Sequence, residues 1–429
     1  MAGIKDNRLV KFFYNLPGVT STYHFLWAWT GAAVYRYPRK KLVVIGVTGT
    51  KGKTTTLELI NAILEATGER TALLSSLRVK IGDTSTKNET RNSMPGRAFL
   101  QKFLRDAARA DCKYALIEVT SQGVVLHRHR FVDWDIGVLT NLAPEHIESH
   151  GSFENYRAAK LAFLDYVYQR GGQVFLNRDE KNFEFFVRSL FKYAPMSYSK
   201  EDETLKHCLP KIRNARAADV GTNQERFLLS EFNEENIAVA AAIAKKFGID
   251  DATIENAILN FGGVPGRMEF VRANGYTAVV DYAHTPDSLE AAYKAVKPKP
   301  SNNYPNPRLI CVLGAAGGGR DKWKRPAMGA VAAQYCDEIV LTDEDPYDED
   351  PAMIVAAIKE GVGKENFPPA RLHEILDRKE AIRKAVALAR PNAGDVIIGT
   401  GKGSEESIHL AHGTTIPWNE RAAFEEALR

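Results

Sequence analysis

The sequence predicts an α/β protein built from two successive α/β domains. Short apolar runs alternate with stretches of helical periodicity, the pattern of parallel strands joined by crossover helices. The pattern stops at Gly262–Gly266 (GGVPG), where glycine and proline favour a turn, and then starts again. We therefore predict a short N-terminal segment over residues 1–41, a first domain over 42–265, a hinge, and a second domain over 266–429.

The predicted elements follow the chain in the same order. Buried strands are predicted at Leu42–Val47, Tyr114–Val119, Ile136–Leu139, Gln173–Leu176, Thr277–Asp281, Leu309–Leu313, Glu338–Leu341 and Val396–Ile398. Helices are predicted at Thr54–Ala66, Tyr156–Tyr168, Glu234–Phe247 and Asp251–Phe261. Phe191–Glu225 is predicted to be a polar, irregular or β-rich insertion, and Lys297–Pro307 a loop.

Composition excludes several classes of protein. Of the 429 residues, 44% are hydrophobic and 26% are charged, which argues against disordered, collagen-like and multi-span membrane proteins. The net charge of +4 is too balanced to indicate nucleic acid as the main partner. The cysteines are far apart and form no C-x-x-C pair, so we expect neither a disulfide framework nor a cysteine zinc site. They are Cys112, Cys208, Cys311 and Cys336, and this usage favours a reducing cytoplasm.

The longest apolar stretch is Tyr23–Tyr35 (YHFLWAWTGAAVY), which is shorter than the roughly 18 residues that a spanning helix needs. Basic residues follow it and a phosphate loop comes next, so we do not expect an export signal. Two interpretations stay open. The stretch is either an amphipathic helix packed on its own domain, or part of an interfacial helix within residues 9–36 that rests on the inner membrane face.

The most specific motif is Gly46–Thr54 (GVTGTKGKT), between the first strand and the first long helix. Its glycines let backbone amides approach phosphate oxygens, and the helix N-terminus adds a positive dipole. Lys53 can reach the β- and γ-phosphates, and the Thr54 hydroxyl can bind Mg²⁺. Val47 stands where a strict G-x-x-x-x-G-K-[ST] loop has its first glycine. The loop predicts nucleotide binding without choosing among motors, GTPases, kinases and ligases.

Further strings resemble, in order, the motifs of the Mur ligases. They are Thr48–Thr54 (TGTKGKT), Glu118–Ser121 (EVTS), Leu139–His146 (LTNLAPEH), Tyr156–Lys160 (YRAAK), Pro265–Glu269 (PGRME), Asp281–Asp287 (DYAHTPD), Arg320–Lys322 (RDK), Lys324–Pro326 (KRP) and Gly401–Glu405 (GKGSE). The later strings resemble the MurE branch, which adds the third residue of the peptidoglycan peptide. The resemblance covers roughly residues 42–421. It implies a P-loop central domain with a parallel sheet, followed by a Rossmann-like α/β C-terminal domain.

The resemblance implies an ATP- and Mg²⁺-dependent ligase that activates a carboxylate as an acyl phosphate and joins it to an amine. The implied partners are ATP, UDP-MurNAc-L-Ala-D-Glu and an amino acid, meso-diaminopimelate or L-lysine, in the bacterial cytoplasm. Two alternatives stay open: a Mur-fold ligase with another acceptor, of the folylpolyglutamate or cyanophycin type, and a non-catalytic ATP-binding module. A kinase or GTPase is not favoured, because no N-K-x-D-like string follows the loop.

The resemblance also implies residue roles. The catalytic positions are Lys53, Glu118, His146 and Lys160, and the metal ligands are Thr54, Glu118, His146 and a carbamylated Lys160. Each of Glu118, His146 and Lys160 also has a purely structural interpretation. The nucleotide would contact Gly49, Thr50, Lys51, Gly52, Lys53, Thr54 and Thr55 in the loop, Asn233 and Asn236 near the adenine, and Arg267, Asp281 and His284 when the domains close.

The implied substrate contacts are Ser93, Thr120, Arg128, Arg320, Asp345, Tyr347, Gly401 and Glu405. Tyr347 stands where diaminopimelate-adding enzymes of the family have an arginine, and Asp345 replaces an asparagine. An extra carboxylate without that arginine favours an amino acid with a cationic distal end, such as lysine. Mur ligases also carry an N-terminal domain that holds the UDP end, whereas residues 1–41 precede the first strand here. We therefore expect the acceptor to be held differently, for example as a membrane-bound or lipid-linked precursor.

Overall fold

The computed structural model describes residues 18–36, 42–90, 92–96, 98–145, 147–202 and 231–429. The chain forms two compact units. Unit 1 comprises Met1–Ala143, Ser152–Cys208 and Glu235–Ile258, and unit 2 comprises Pro144–Gly151, Leu209–Glu234 and Leu259–Arg429. The domain boundaries at residues 41 and 265 stay predictions.

Unit 1 is built on an eight-stranded sheet of order β4-β3-β2-β5-β1-β6-β7-β8. Its strands are β1 (Val43–Thr48), β2 (Thr71–Leu74), β3 (Arg78–Ile81), β4 (Thr84–Lys87), β5 (Tyr114–Glu118), β6 (Ile136–Leu139), β7 (Gln173–Asn177) and β8 (Met196–Tyr198). The pairs from β2 to β8 are parallel, and β3 and β4 are antiparallel at one edge. In the centre, Ile45 lies opposite Leu116 on one side and Ile136 on the other. The four strands predicted in this part of the chain are confirmed.

Helices cover this sheet. They are α1 (Val19–Tyr35), α2 (Lys53–Ala66), α3 (Phe99–Arg109), α4 (Ser121–Val125), α6 (Phe153–Gln169), α7 (Phe183–Leu190), α8 (Glu231–Lys246) and α9 (Asp251–Leu259), while α5 (Ile147–His150) belongs to unit 2. Helix α6 begins before the predicted Tyr156 because Ser152 caps it, accepting a hydrogen bond from the Asn155 amide. Below the phosphate loop, Trp134 and Phe163 meet edge to face and leave no room for a side chain at Gly46.

Helix α1 packs on unit 1. A Cβ atom at Gly31 would lie 2.6 Å from the Cβ of Ala98, and the Phe25 ring meets the edge of the Phe131 ring at 5.3 Å. Ser21 Oγ and His127 Nε2 are 2.7 Å apart. These contacts agree with the packed interpretation of the apolar stretch. Among the residues described, no helix combines the length and the apolar character needed to cross a bilayer.

Unit 2 contains a six-stranded sheet of order β13-β12-β11-β14-β10-β9 and a separate β15–β16 ribbon. The strands are β9 (Glu269–Ala273), β10 (Tyr276–Val280), β11 (Leu309–Leu313), β12 (Glu338–Leu341), β13 (Leu372–Glu374), β14 (Val396–Gly399), β15 (Ser407–His409) and β16 (Thr415–Pro417). The helices are α10 (Pro286–Val296), α11 (Lys324–Tyr335), α12 (Pro351–Lys364), α13 (Arg378–Leu388) and α14 (Glu420–Ala427). All pairs in the large sheet are parallel except β9–β10. The second predicted α/β pattern is therefore confirmed.

The predicted insertion Phe191–Glu225 is described only at its start. A short helical turn at Phe191–Tyr193 leads to β8, which pairs in parallel with β7. Residues 203–230 lie outside the described residues. The predicted loop Lys297–Pro307 contains no helix or strand.

One disulfide corrects the expectation drawn from cysteine spacing. Cys311 lies on β11 and Cys336 lies two residues before β12, and the two are bonded with a Cα–Cα distance of 6.0 Å. They are 25 residues apart in the chain, but neighbouring parallel strands bring such positions together. Cys112 is buried and free, while Cys208 lies outside the described residues.

Candidate active site

The phosphate loop occupies the gap between β1 and α2. Gly49 has φ 153° and Gly52 has φ 81°, and both are tightly surrounded. A Cβ atom at Gly49 would lie 1.8 Å from Thr140 Oγ1, and one at Gly52 would lie 2.3 Å from Asn236 Oδ1. Gly52 is also the N-cap of α2 and makes no side-chain cap. A helix that begins at a glycine turn points its first backbone amides at the loop, and this is the arrangement with which a helix N-terminus binds an anion.

Residues from β6 and α6 hold the loop in shape. The Lys51 amide donates to Asn141 Oδ1 at 2.8 Å, and the Lys51 carbonyl accepts from Thr140 Oγ1 at 2.7 Å. The Thr50 hydroxyl lies 3.0 Å from the Tyr156 hydroxyl. Sequence reasoning missed Thr140, Asn141 and Tyr156 as site residues, although all three stand inside motifs that it had singled out.

Two predicted catalytic lysines meet at one carbonyl of this loop. Lys53 Nζ donates to the carbonyl oxygens of Gly49 at 3.0 Å and Thr50 at 2.9 Å. Lys160 Nζ, almost fully buried, donates to the same Gly49 oxygen at 2.8 Å and lies 4.5 Å from the centroid of the Tyr156 ring. The loop is therefore positively charged where a phosphate would bind.

The predicted metal ligands Thr54 and Glu118 lie together. Thr54 Oγ1 donates to Glu118 Oε2 at 2.9 Å, and the Ser76 amide donates to the same oxygen at 3.0 Å. A hydroxyl and a buried carboxylate next to a phosphate site are the oxygen donors that Mg²⁺ uses, because it is usually held by one or two carboxylates and the substrate's phosphates. The residues fit this ion. His146 lies outside the described residues, and Ser76 had no motif to reveal it.

The predicted adenine residues lie on α8. Asn236 is packed against Gly52 and accepts a hydrogen bond from Thr56 Oγ1 at 3.1 Å, so it supports the loop from behind. Asn233, one turn earlier, is fully buried, and Thr55 is buried in the first turn of α2. Their contact with adenine stays a prediction.

A second part of unit 1 contains the predicted acceptor residues. Thr120 Oγ1 accepts from the Gly123 amide and caps α4. Arg128 Nη1 donates to the Met94 carbonyl at 2.6 Å, next to Ser93. Burial lowers the pKa of Arg128, and its Nε has no hydrogen-bond partner among the described residues. A half-buried guanidinium with an unused donor is suited to an anionic group of a substrate.

In unit 2, predicted residues follow the end of β10. Asp281 accepts from the amides of Met268 and Ala283, both at 2.8 Å, and so holds the preceding loop against the strand end. His284 Nδ1 lies 2.7 Å from the Tyr282 carbonyl oxygen and carries a proton there, because a carbonyl oxygen only accepts. His284 Nε2 lies 3.0 Å from Glu145 Oε1.

The Pro265–Glu269 and Gly401–Glu405 segments are in contact. The Arg267 guanidinium lies 4.0 Å from the centroid of the Tyr282 ring, and the Tyr282 hydroxyl donates to Glu405 Oε1 at 3.1 Å. A Cβ atom at Gly266 would lie 2.1 Å from the backbone nitrogen of Ser404. Two predicted site residues, Arg267 and Glu405, are thus joined through an aromatic ring that sequence reasoning did not select.

Asp345 is not a spare carboxylate. The fully buried Lys402 donates to Asp345 Oδ1 at 2.9 Å and to Glu405 Oε2 at 2.7 Å, and Asp345 also accepts from the His409 amide. Burial lowers the pKa of Lys402, but the two carboxylates outweigh it and the pKa is raised. The charge of Asp345 is therefore compensated inside the protein, which removes the argument from Asp345 for a cationic amino acid.

Tyr347 lies between two basic residues. Its ring stacks on His409 with 5.1 Å between centroids and 9° between planes. Its hydroxyl accepts from Arg320 Nη2 at 3.3 Å. Both predicted substrate residues are therefore neighbours, and Arg320 supplies a guanidinium close to the position where the sequence lacks one.

Glu344 was missed by sequence reasoning. It is buried beside Gly401, where a Cβ atom would lie 2.2 Å from Glu344 Oε2. That oxygen has no hydrogen-bond partner among the described residues. Burial raises the pKa of Glu344 to about 7, although Arg378 and Lys402 lower it.

Comparisons with known proteins agree with this geometry. The family model of the Mur ligase middle domain matches residues 47–254, and that of the Mur ligase glutamate ligase domain matches residues 266–403. A UDP-N-acetylmuramyl-tripeptide synthetase of Roseiflexus sp. (strain RS-1) is 36% identical over 433 residues, covering 92% of this chain and 80% of the relative. The chain belongs to the Mur ligase family.

Other relatives of this Mur ligase carry related names. A UDP-N-acetylmuramoyl-L-alanyl-D-glutamate–2,6-diaminopimelate ligase of Synechocystis sp. (strain ATCC 27184 / PCC 6803 / Kazusa) is 36% identical over 409 residues, covering 92% of this chain and 78% of the relative. A solved structure of a ligase with that name has a TM-score of 0.58 at 27% identity, covering 96% of this chain and 83% of the other. A folylpolyglutamate synthase of Mycobacterium tuberculosis, solved with ADP and AMPPCP, has a TM-score of 0.67 at 17% identity over 88% of this chain and 92% of its own. The last likeness concerns the fold alone.

Proposed function

We propose that this Mur ligase is an ATP- and Mg²⁺-dependent amide ligase of peptidoglycan synthesis in the bacterial cytoplasm. Its acceptor would be UDP-MurNAc-L-Ala-D-Glu, and it would add the third amino acid, meso-diaminopimelate or L-lysine. The observation that carries the proposal is the arrangement at the phosphate loop. Two lysines converge on the Gly49 carbonyl, and a hydroxyl–carboxylate pair suited to Mg²⁺ lies at the start of α2. The names of the relatives support this acceptor, and one of them names diaminopimelate as the amino acid.

The chain's own residues would bind the negatively charged phosphates and carboxylate and hold them in position. Loop amides and Lys53 bind the ATP phosphates, and the acceptor's carboxylate oxygen attacks the γ-phosphorus while ADP leaves. The amino acid's amine then attacks the acyl carbon, inorganic phosphate leaves, and the amine loses a proton. Fixed positive groups lower the barrier because they stabilise charge that develops during transfer. Thr54 and Glu118 would hold Mg²⁺, which would further neutralise the charge of the phosphates.

We also propose that Lys160 is carbamylated in the working enzyme. The modification would replace a buried ammonium by a buried carbamate beside the loop, so that one lysine of the pair carries negative charge. Lys160 is almost fully buried, and the loop carbonyl that it contacts is also bound by Lys53. A carbamate there would be suited to a metal ion and would partly balance the charge of Lys53. Intact-mass spectrometry in bicarbonate, with a Lys160→Arg variant as the control, tests the modification.

Each unit would contribute its own residues to substrate binding. In unit 1, the half-buried Arg128 would bind an anionic group of the acceptor, together with Ser93 and Thr120. In unit 2, Arg320, Tyr347, Gly401 and Glu405 would surround the amino acid. Arg267, Asp281 and His284 would contact the nucleotide. These assignments follow the family motifs and the side-chain contacts described above.

The test is phosphate release from Mg-ATP and UDP-MurNAc-L-Ala-D-Glu with diaminopimelate, with lysine and with no amino acid. We expect release that depends on one of the amino acids and falls by roughly a hundredfold or more in a Lys53→Ala variant. Lys102→Ala, which changes an exposed lysine paired with Asp106, is the control. Release with a folate and glutamate instead would favour the alternative acceptor. Protein that binds ATP but releases no phosphate with any pair would contradict a ligase.

A further inference from the structure

The outward side of α1 is apolar where a surface helix is normally charged. Val19–Tyr35 contains no Asp, Glu, Lys or Arg. Its inward side, with Phe25, Ala28 and Gly31, packs on unit 1. A helix on a domain surface usually places polar and charged residues on the opposite face. The opposite face of α1 therefore needs another explanation.

Five large apolar side chains of α1 are exposed, and four of them lie close together beyond Val19. Leu26, Trp27, Trp29 and Val34 are exposed by 51%, 41%, 52% and 74%. They lie within two and a half turns of one helix, so they form one continuous surface and are not scattered single residues. Tryptophan favours the boundary between lipid and water, since its ring is apolar and its N–H can still reach water or a headgroup.

Basic side chains lie beside α1. Arg36 is exposed at the end of α1, the Arg105 guanidinium lies 4.7 Å from the centroid of the Tyr35 ring, and Arg130 lies 5.7 Å from that of Phe25. The segments that pack against α1, residues 99–109 and 127–130, contain five basic residues and one acid. They are Lys102, Arg105, Arg109, Arg128 and Arg130, against Asp106, which forms ion pairs with Lys102 and Arg105.

We propose that the outward face of α1 docks on a bilayer surface that contains anionic phospholipids. The apolar side chains would enter the boundary between headgroups and acyl chains, and the exposed Arg36, Lys102 and Arg109 would face the phosphates. Apolar burial and attraction to anionic lipid together are what hold an interfacial helix. Because α1 also touches Ala98, five residues after Ser93 in the chain, and His127, next to Arg128, docking would bring the acceptor side of unit 1 towards the lipid surface. This last consequence rests on the proposed function.

The test is flotation of the full chain with two kinds of vesicle, phosphatidylcholine alone and phosphatidylcholine mixed with phosphatidylglycerol. We expect binding to the mixed vesicles, weakened by added salt, with a blue shift of tryptophan fluorescence. A Trp27→Gln/Trp29→Gln double variant should bind the mixed vesicles at least about tenfold more weakly, because it loses most of the apolar area that enters the lipid. Glutamine keeps good helix propensity.

The matched control is Phe191→Gln, which removes an aromatic side chain of unit 1 that is 78% exposed in the helical turn before β8. It should bind vesicles as the unaltered protein does. Three results would overturn the proposal: no binding to either vesicle, equal loss of binding in the control, or a dimer that the double variant disrupts while no vesicle binds. The last result would assign the face to a second copy of the chain. Vesicle binding needs no substrate, so its outcome is independent of the phosphate-release test.

Discussion

At the scale of single residues, unit 2 shows how burial and charge act against each other. Lys402 and Asp345 are both buried, and each compensates the charge of the other at 2.9 Å. Glu344 is buried as well, but one of its oxygens lacks a partner among the described residues. A buried carboxyl without enough donors favours its neutral form, since desolvation penalises the charge. This difference between neighbouring residues leads to a dependence of stability on pH.

We expect a Glu344→Gln variant to gain stability relative to the unaltered protein as the pH rises. Burial raises the pKa of Glu344 to about 7, above the value of about 4.5 in the unfolded chain. The folded state therefore keeps a proton that the unfolded state has lost between these values, and its stability decreases as pH rises through this window. The difference between pH 5 and pH 8 is at most about 3 kcal/mol. Urea unfolding at both pH values measures it.

Glu349→Gln is the control with the opposite sign. Burial raises the pKa of Glu349, but hydrogen bonds from Arg325, the Gly319 amide and Lys322 outweigh it and bring the pKa to about 2. The charged Glu349 stabilises the folded state fully at pH values above its pKa in the unfolded chain, about 4.5. This stabilisation is lost as the pH falls from about 4.5 to about 2. The Glu349→Gln variant should therefore lose stability equally at pH 5 and pH 8. A Glu344→Gln variant without pH dependence would contradict the assigned neutral form.

A second residue-scale prediction concerns the choice of amino acid. Tyr347→Arg would add a guanidinium beside Arg320, where a distal carboxylate would gain a paired hydrogen bond. We expect the ratio of kcat/KM for diaminopimelate to that for lysine to rise by roughly tenfold or more. Tyr347→Phe keeps the ring that stacks on His409 and should change the ratio little. An unchanged ratio in the arginine variant would mean that the distal end of the amino acid lies elsewhere.

At the scale of elements, helix starts carry the function and much of the stability. Helix α2 begins at the phosphate loop with Gly52 as its N-cap, and a helix N-terminus favours an anion. Helices α13 and α14 begin instead with Arg378 and Glu420, which face each other in the core. The first turn of a helix thus serves phosphate binding in unit 1 and a buried ion pair in unit 2.

We expect Gly52→Ala to disrupt the phosphate loop through a steric clash, in addition to the backbone strain that alanine has at a positive φ. The new Cβ atom would lie 2.3 Å from Asn236 Oδ1. Gly68→Ala is the matched control, because Gly68 has nearly the same φ, 82° against 81°, and nothing lies within 4 Å of its Cβ position. Both variants should lose about 1 kcal/mol through strain, and Gly52→Ala alone should also lose ATP affinity. Calorimetric titration with Mg-ATP measures this, and equal affinities would contradict the crowding at Gly52.

We expect Arg378→Ala to destabilise the protein by about 3–5 kcal/mol, since it leaves a buried carboxylate unpaired. Arg378 donates to both oxygens of Glu420, at 2.8 and 2.7 Å, and also to the carbonyls of Asp343 and Thr400. The control is its neighbour Lys379, whose ion pair with Glu426 is exposed and should contribute about 0–1 kcal/mol. Thermal unfolding of both alanine variants compares them, and similar losses would count against the buried pair.

At the scale of the whole molecule, the chain contains two mostly parallel sheets with different tasks. The first presents the phosphate loop at the carboxyl end of β1, and the second presents charged residues after β10 and β14. Ligands of α/β sheets bind outside the carboxyl ends of the strands. Both candidate sites follow this rule, and each is built from the sheet of its own unit.

We expect Mg-ATP to stabilise the protein by about 2.7 kcal/mol at a hundredfold excess over its dissociation constant. The effect should be absent in Lys53→Ala and retained in Lys102→Ala. Thermal unfolding with and without Mg-ATP measures the shift. A similar shift in the Lys53 variant would place nucleotide binding outside the phosphate loop.

Much of the fold was readable from the sequence. Apolar runs and helical periodicity located the central strands and the long helices, because parallel strands are buried on both faces and leave a local record in the chain. The same holds for the phosphate loop, whose glycines and lysine are adjacent. Helix starts were less accurate, since α6 begins at Phe153 where Ser152 caps it and not at Tyr156.

The sequence by itself therefore determined the order of the elements, the phosphate loop and the family motifs, all of which depend on neighbouring residues. Only the tertiary structure decided which distant groups meet. It paired Lys402 with Asp345, placed the Ser76 amide on Glu118 and joined Cys311 to Cys336. The physical reason is that strand order and register, which no short stretch of sequence records, set these distances and with them the charge left available to a substrate.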